Sequence, residues 1–125
     1  METITKTKEK NVLGTELKPC GFDPVAGYMR DGYCRLVYGD SGTHLLCAVM
    51  SEEFLEFSRL RGNDLVTPIP QWRFPGLKPG DHWCLCVSRW IQAERKGVAP
   101  KVVLESTHQD TLKYIDFELL LDYKY

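Results

Sequence analysis

The stretch HLLCAVMSEEFLEFSRLRG, residues 44–62, decides the fold. Its first part, His44 to Val49, is apolar on both alternating sets of side chains, the pattern of a strand covered on both faces and therefore central in a sheet. The second part changes period. Ser51 predicts a helix N-cap, with Glu52 and Glu53 at the positive end of the helix dipole. Phe54, Phe57 and Leu60 recur at three-residue spacing as one apolar stripe. Arg59 and Arg61 suit the last turn, and Gly62 suits the residue just beyond it.

Upstream of this stretch, GDSG (39–42) predicts a turn, so that Tyr33 to Tyr38 forms a strand pairing with 44–49 as a hairpin. Pro19 to Gly32 holds two Pro, three Gly and two Asp and reads as a loop with turns. Downstream, residues 63–81 carry Pro68, Pro70, Pro75 and Pro79 and have little regular structure; Trp72 and Phe74 suit a covering role. His82 to Val87 is the strongest strand signal, with Trp83, Leu85 and Val87 alternating against His82, Cys84 and Cys86. Ser88 caps a short helix, RWIQAERK, closed by Gly97. A strand over Lys101 to Glu105, a turn or two of helix over Thr107 to Lys113, and a last helix capped by Asp116 complete the chain, with Phe117, Leu120 and Leu121 on one face. Strands and helices alternate without a regular βαβ order. The class is α+β, a small mainly antiparallel sheet with short helices packed against it, rich in loops.

Composition bounds what such a domain does. The chain has 125 residues, 43% hydrophobic and 26% charged, which excludes global disorder and fits a tail over 1–10 and one domain over 11–125. Its net charge of −1 leaves no electrostatic footprint for nucleic acid or an anionic membrane. The first residues, METITKTKEKN, lack an apolar core, and the longest apolar run, Leu45 to Met50, is too short to span a bilayer. A cytoplasmic location with free thiols is the resulting expectation, because the cysteines number five, an odd count.

Three groups of residues can carry chemistry. On an extended strand Cys84 and Cys86 share a face with His82, and their sulfurs can lean together on a soft metal such as zinc. Cys20 and Cys34 flank the turn-rich loop and Cys47 lies on the neighbouring strand, so they can supply further ligands, although no CxxC spacing is present. Alternatively one of Cys34, Cys47, Cys84 or Cys86 is a nucleophile paired with His44, His82 or His108; Cys86 lies just before a helix N-terminus, which favours a thiolate. The third group is the loop carrying Asp23, Arg30 and Asp31, where Arg30 can make a bidentate contact to a carboxylate or phosphate. No glycine pattern here opens a helix as a phosphate loop does. Packing alone also explains buried cysteines and large aromatic rings.

The segments NVLGTELKPCGFDPVAGYMRDGYC (11–34), HLLCAVMSEEFLEFSRLRGNDLVTP (44–68), FPGLKPGDHWCLCVSRW (74–90) and APKVVLESTH (99–108) resemble the bacterial family called domain of unknown function 2237. The resemblance spans about residues 11–121 and implies one compact α+β domain and no particular activity. The family commonly has Thr where this chain has Ala26, so no hydroxyl role in that turn carries over. The residues thus lead to a small domain binding a metal or a small polar ligand at a Cys/His-lined site, where the 20–34 loop approaches His82, Cys84 and Cys86. A thiol-dependent enzyme and a non-catalytic interaction module, the latter using an apolar patch near Trp72 and Phe74, are the alternatives.

Overall fold

The central strand β1 (Leu46–Val49) lies between β2 (His82–Leu85) and β3 (Lys101–Val102), antiparallel to both, in the order β2-β1-β3. The computed structural model describes residues 9–125, so residues 1–8 of the expected tail lie outside the described residues. Glu9 and Lys10 already belong to the fold. Lys10 bridges to Glu16, and Glu9 accepts from the Leu36 amide at 3.0 Å.

Leu46, Cys47 and Ala48 are wholly buried, as a strand covered on both faces requires. Its neighbours differ from the expected hairpin. Residues 33–38 form no strand, and Leu36 and Tyr38 point to solvent. The edge of β1 that the hairpin would use is taken by the segment after Pro100: Val102 pairs with Ala48, Val103 N donates to Cys47 O at 2.9 Å, and His108 N to Leu45 O at 2.9 Å. The apolar run Val102–Leu104 buries more hydrocarbon there than the Arg35-containing segment would, and the GDSG turn serves another purpose described below.

Helix α1 (Glu52–Leu60) starts where Ser51 accepts from Phe54 N at 3.1 Å and ends before Gly62, whose φ is +87°. Phe54, Leu55 and Ser58 face the core, while Leu60 is 67% exposed. Two steps of three residues turn about 120° around an α-helix, which carries Leu60 off the face Phe54 occupies. On α3 (Phe117–Asp122) Leu120 is inside and Leu121 out, because adjacent residues stand about 100° apart around the axis.

The segment 82–87 divides. Strand β2 stops at Leu85, Cys86 leaves the extended conformation as N-cap, and α2 (Val87–Arg95) begins at once. Ser88 is therefore inside the helix and caps nothing. Trp90 anchors α2: it is wholly buried, its Nε1–H donates to Pro100 O at 3.0 Å, and Tyr123 meets its ring edge-on at 5.0 Å. Beyond β3 the chain tightens into 3₁₀ turns over Leu104–Ser106 and Gln109–Lys113. Asn11, also wholly buried, closes the domain: its amide donates to Thr15 Oγ1, Glu16 O and Glu105 O, and its Oδ1 accepts from the Leu13 and Thr15 amides. Among the described residues no helix is long and apolar enough to cross a membrane.

Candidate functional site

Four of the five cysteines converge, and they do so as disulfides. Cys47 and Cys84 are register partners on β1 and β2, and directly opposed residues project from the same side of a sheet. The 20–34 loop crosses that side. Cys20 bonds to Cys47 and Cys34 to Cys84, with all four at most 5% exposed. The expectation of free thiols is thus corrected for these four, because an odd count of five is met by two pairs and one remainder. The sulfurs of Cys20, Cys34 and Cys47 lie within 4.8 Å of one another, a spacing that can hold a metal, but in disulfides they offer no thiolate.

The other two residues of the expected ligand set lie apart from that cluster. His82 has Nδ1 at 3.2 Å from Cys20 O and its ring edge against Tyr125. Cys86, the remaining thiol, is partly exposed and lies beyond the end of β2, as the N-cap of α2, so the shared strand face with Cys84 does not form. His108 is structural: its Nδ1 accepts from Asp110 N at 3.0 Å, so Nε2–H donates to Glu9 at 2.7 Å.

Cys86 has a partner on the GDSG turn. His44 Nε2 lies 3.5 Å from Cys86 Sγ, and His44 Nδ1 lies 2.8 Å from Asp40 Oδ1. A carboxylate oxygen accepts, so Nδ1 carries the hydrogen and Nε2 turns toward the thiol. Asp40 is fixed in its turn. Its Oδ1 accepts from Gly42 N at 3.1 Å and its Oδ2 from His44 N at 2.9 Å, and its side chain is 3% exposed. Val87 N donates to Thr43 O at 3.2 Å, tying this turn to the start of α2 and holding Cys86 beside His44. Thr43 itself is held at φ +48°, a left-handed conformation costly for a β-branched residue. Gly42 leaves the required space: a Cβ there would stand 2.8 Å from both Cys86 Sγ and His44 Cε1. The hydrogen bond to Cys86 raises the pKa of His44 above the usual imidazole value; burial opposes this, and the Asp40 contact adds to it. An anion at Cys86 would also meet the positive end of α2.

A cavity of about 640 Å³ begins at His44, whose ring is stacked on Tyr28 at 5.7 Å between centroids. It is walled by Gly27–Arg30 from the turn-rich loop, by Trp83 and Cys84 from β2, and by Trp72–Phe74. The 20–34 loop therefore does meet β2 at a concave surface. Of the three loop residues expected to bind a ligand, only Arg30 lines it. Asp31 accepts from Arg35 Nε at 2.5 Å and from Tyr33 N, and Asp23 lies exposed on the surface. Phe74 is buried edge-on against Trp83, whereas Trp72 is 66% exposed, so the apolar patch expected around them is reduced to one ring. Asp40 is the member of this arrangement that sequence alone does not mark. Its only sequence signal is a carboxylate four residues before a histidine, which turns of this composition commonly contain.

Fold and site together define a small disulfide-stapled α+β domain with a cysteine–histidine–aspartate arrangement beside a cavity. The chain belongs to a family of uncharacterised proteins conserved in bacteria, domain of unknown function 2237, whose sequence profile matches residues 10–124. No curated protein matches it.

Proposed function

We propose that the chain is a thiol-dependent acyl-transfer enzyme in which Cys86 is the nucleophile, His44 its acid–base partner and Asp40 the residue orienting His44. One observation carries this: the unbroken contact Cys86 Sγ–His44 Nε2–Asp40 on rigid turns. His44 takes the thiol proton, the sulfur attacks a carbonyl carbon, and His44 returns the proton to the leaving group, leaving a thioester. A water that gives its proton to His44 then attacks the thioester carbon; the acid departs and the proton returns to sulfur. A disulfide-exchange role suits the site less well, because the other four cysteines are already paired.

The test is alkylation of the native protein with iodoacetamide, followed by mass spectrometry at Cys86. His44 keeps its proton to higher pH than an ordinary imidazole, so its positive charge stands beside Cys86 Sγ over a wider pH range. His44→Ala should slow the reaction at pH 6.5 by about tenfold to a hundredfold, since an ordinary thiol is about 1% ionised there. Gly42→Ala, which wedges a methyl group between the two side chains and forces them to shift, should slow it as well. Equal rates in wild type and His44→Ala would overturn the proposal.

A second reading has one observation in its favour, the convergence of the Cys20, Cys34 and Cys47 sulfurs. In it, the reduced chain holds zinc or another soft metal. Protein purified without chelator would then carry about one equivalent of metal and release five thiols in denaturant. One thiol and no metal would remove it.

A further inference from the structure

We propose that the cavity beside His44 takes a small ligand bearing an oxyanion, a carboxylate or a phosphate, held by Arg30 and Arg73 with the rest of the ligand against Trp72 and Tyr28. This names the substrate class of the site above and so rests on that reading for its link to chemistry, but the binding stands on its own observations.

The first is size. At about 640 Å³ the cavity falls within the roughly 300–1,000 Å³ range of small-molecule sites. Arg30, Arg73 and Phe74 also line an adjoining cavity of about 430 Å³, so the two arginines stand where the two concavities meet. The second is that these cations lack counter-charges. None of the ion pairs among the described residues involves Arg30 or Arg73. Arg30 is instead positioned by uncharged partners. Its Nη1 donates to Gly27 O at 2.7 Å, its Nε to Arg73 O at 3.3 Å, and its guanidinium lies 4.9 Å from the centre of the Trp83 ring.

The nearby carboxylates are already committed. Asp31 serves Arg35 and the Tyr33 amide. Asp64, the acid in the cavity wall, accepts from Val66 N, Thr67 N and Thr67 Oγ1 in its own turn. A guanidinium fork held by backbone carbonyls keeps its remaining N–H groups for a planar or tetrahedral oxyanion. Burial and the charge of Arg73 both push the Arg30 pKa down, as expected for two cations crowded together without an anion.

Backbone geometry adds a third observation. Arg30 has φ +56° and Arg73 has φ +53°, and both are residues that seldom adopt the left-handed region. Such conformations persist where surrounding structure holds them, and they gather at ligand sites. Gly27 enforces the loop's approach, since a Cβ there would stand 2.5 Å from Tyr33 O. His44 lines the same cavity, so a ligand anchored at the arginines shares it with the ring that contacts Cys86.

The experiment titrates phenylacetate, phenyl phosphate, inorganic phosphate and the neutral phenylacetamide into the full chain carrying Cys86→Ser, read by tryptophan fluorescence and calorimetry. The two charged aromatic probes should bind at least about tenfold more tightly than phenylacetamide, and added salt should narrow the gap. Their ranking assigns the carboxylate or the phosphate as the preferred group, and weaker binding of inorganic phosphate supports the aromatic wall. Arg73→Met, on an exposed turn, and Arg30→Met should each abolish the preference for charge. Equal binding of the neutral probe, unchanged binding in Arg73→Met, or no binding of any probe would overturn the proposal. Anion binding with an unreactive Cys86 would instead remove the acyl-transfer reading and leave this one standing.

Discussion

Cys34→Ala should lower the unfolding free energy by about 4 kcal/mol, and Cys47→Ala by about 3.5 kcal/mol, from the chain entropy returned when links across 50 and 27 residues are opened. For a domain of this size that is a large share of a total of about 5–15 kcal/mol. The two effects should not add, because the loops overlap between residues 34 and 47 and the sulfurs share one cluster. Urea titrations with and without reductant check this. The wild-type midpoint should fall in reductant toward those of the variants, and slowly, since all four sulfurs are buried and become reachable only as the domain opens. A midpoint indifferent to reductant would mean that the disulfides contribute nothing.

Trp90→Ala should cost about 3–5 kcal/mol. The indole is wholly buried between α2 and the start of β3, so truncation leaves a large cavity and removes the edge-on contact with Tyr123. It also leaves Pro100 O without its N–H donor at the turn that aims the chain into β3. Trp90→Phe keeps a six-membered ring but loses the donor and part of the buried volume, so a smaller loss than for Trp90→Ala is expected, about 1–3 kcal/mol. If both variants unfold at the wild-type urea concentration, Trp90 is not the anchor described.

The sequence carries those parts of the fold whose signals are local. Ser51, Glu52 and Gly62 specify α1 by capping chemistry that needs no tertiary partner, and the two-sided apolarity of β1 gives its central position. The pairing partner of β1 was not legible, because a turn such as GDSG looks alike whether it closes a hairpin or positions a histidine. Here Asp40 spends its oxygens on Gly42 and His44. The end of β2 one residue before Cys86 was equally hidden. Alternation continues through Val87 on paper, whereas the helix begins there in the fold and turns Cys86 from a neighbour of Cys84 into a neighbour of His44. Among the loop residues, Arg30 was recognisable by its type, but Arg73 and Trp72 come from 43 or so positions away along the chain, a separation only the folded structure closes.

The order of the sulfur links along the chain, first with third and second with fourth, makes them interlocked clasps. Any single backbone nick between residues 20 and 84 leaves both fragments joined by at least one of them. A protease acting on the exposed positions around Tyr38 or Trp72 would therefore yield one band of full mass on a non-reducing gel and two bands once thiol is added. The segments bearing His44, Arg30 and Cys86 would stay in one particle after such a cut, so that damage to these surface turns need not disperse the site.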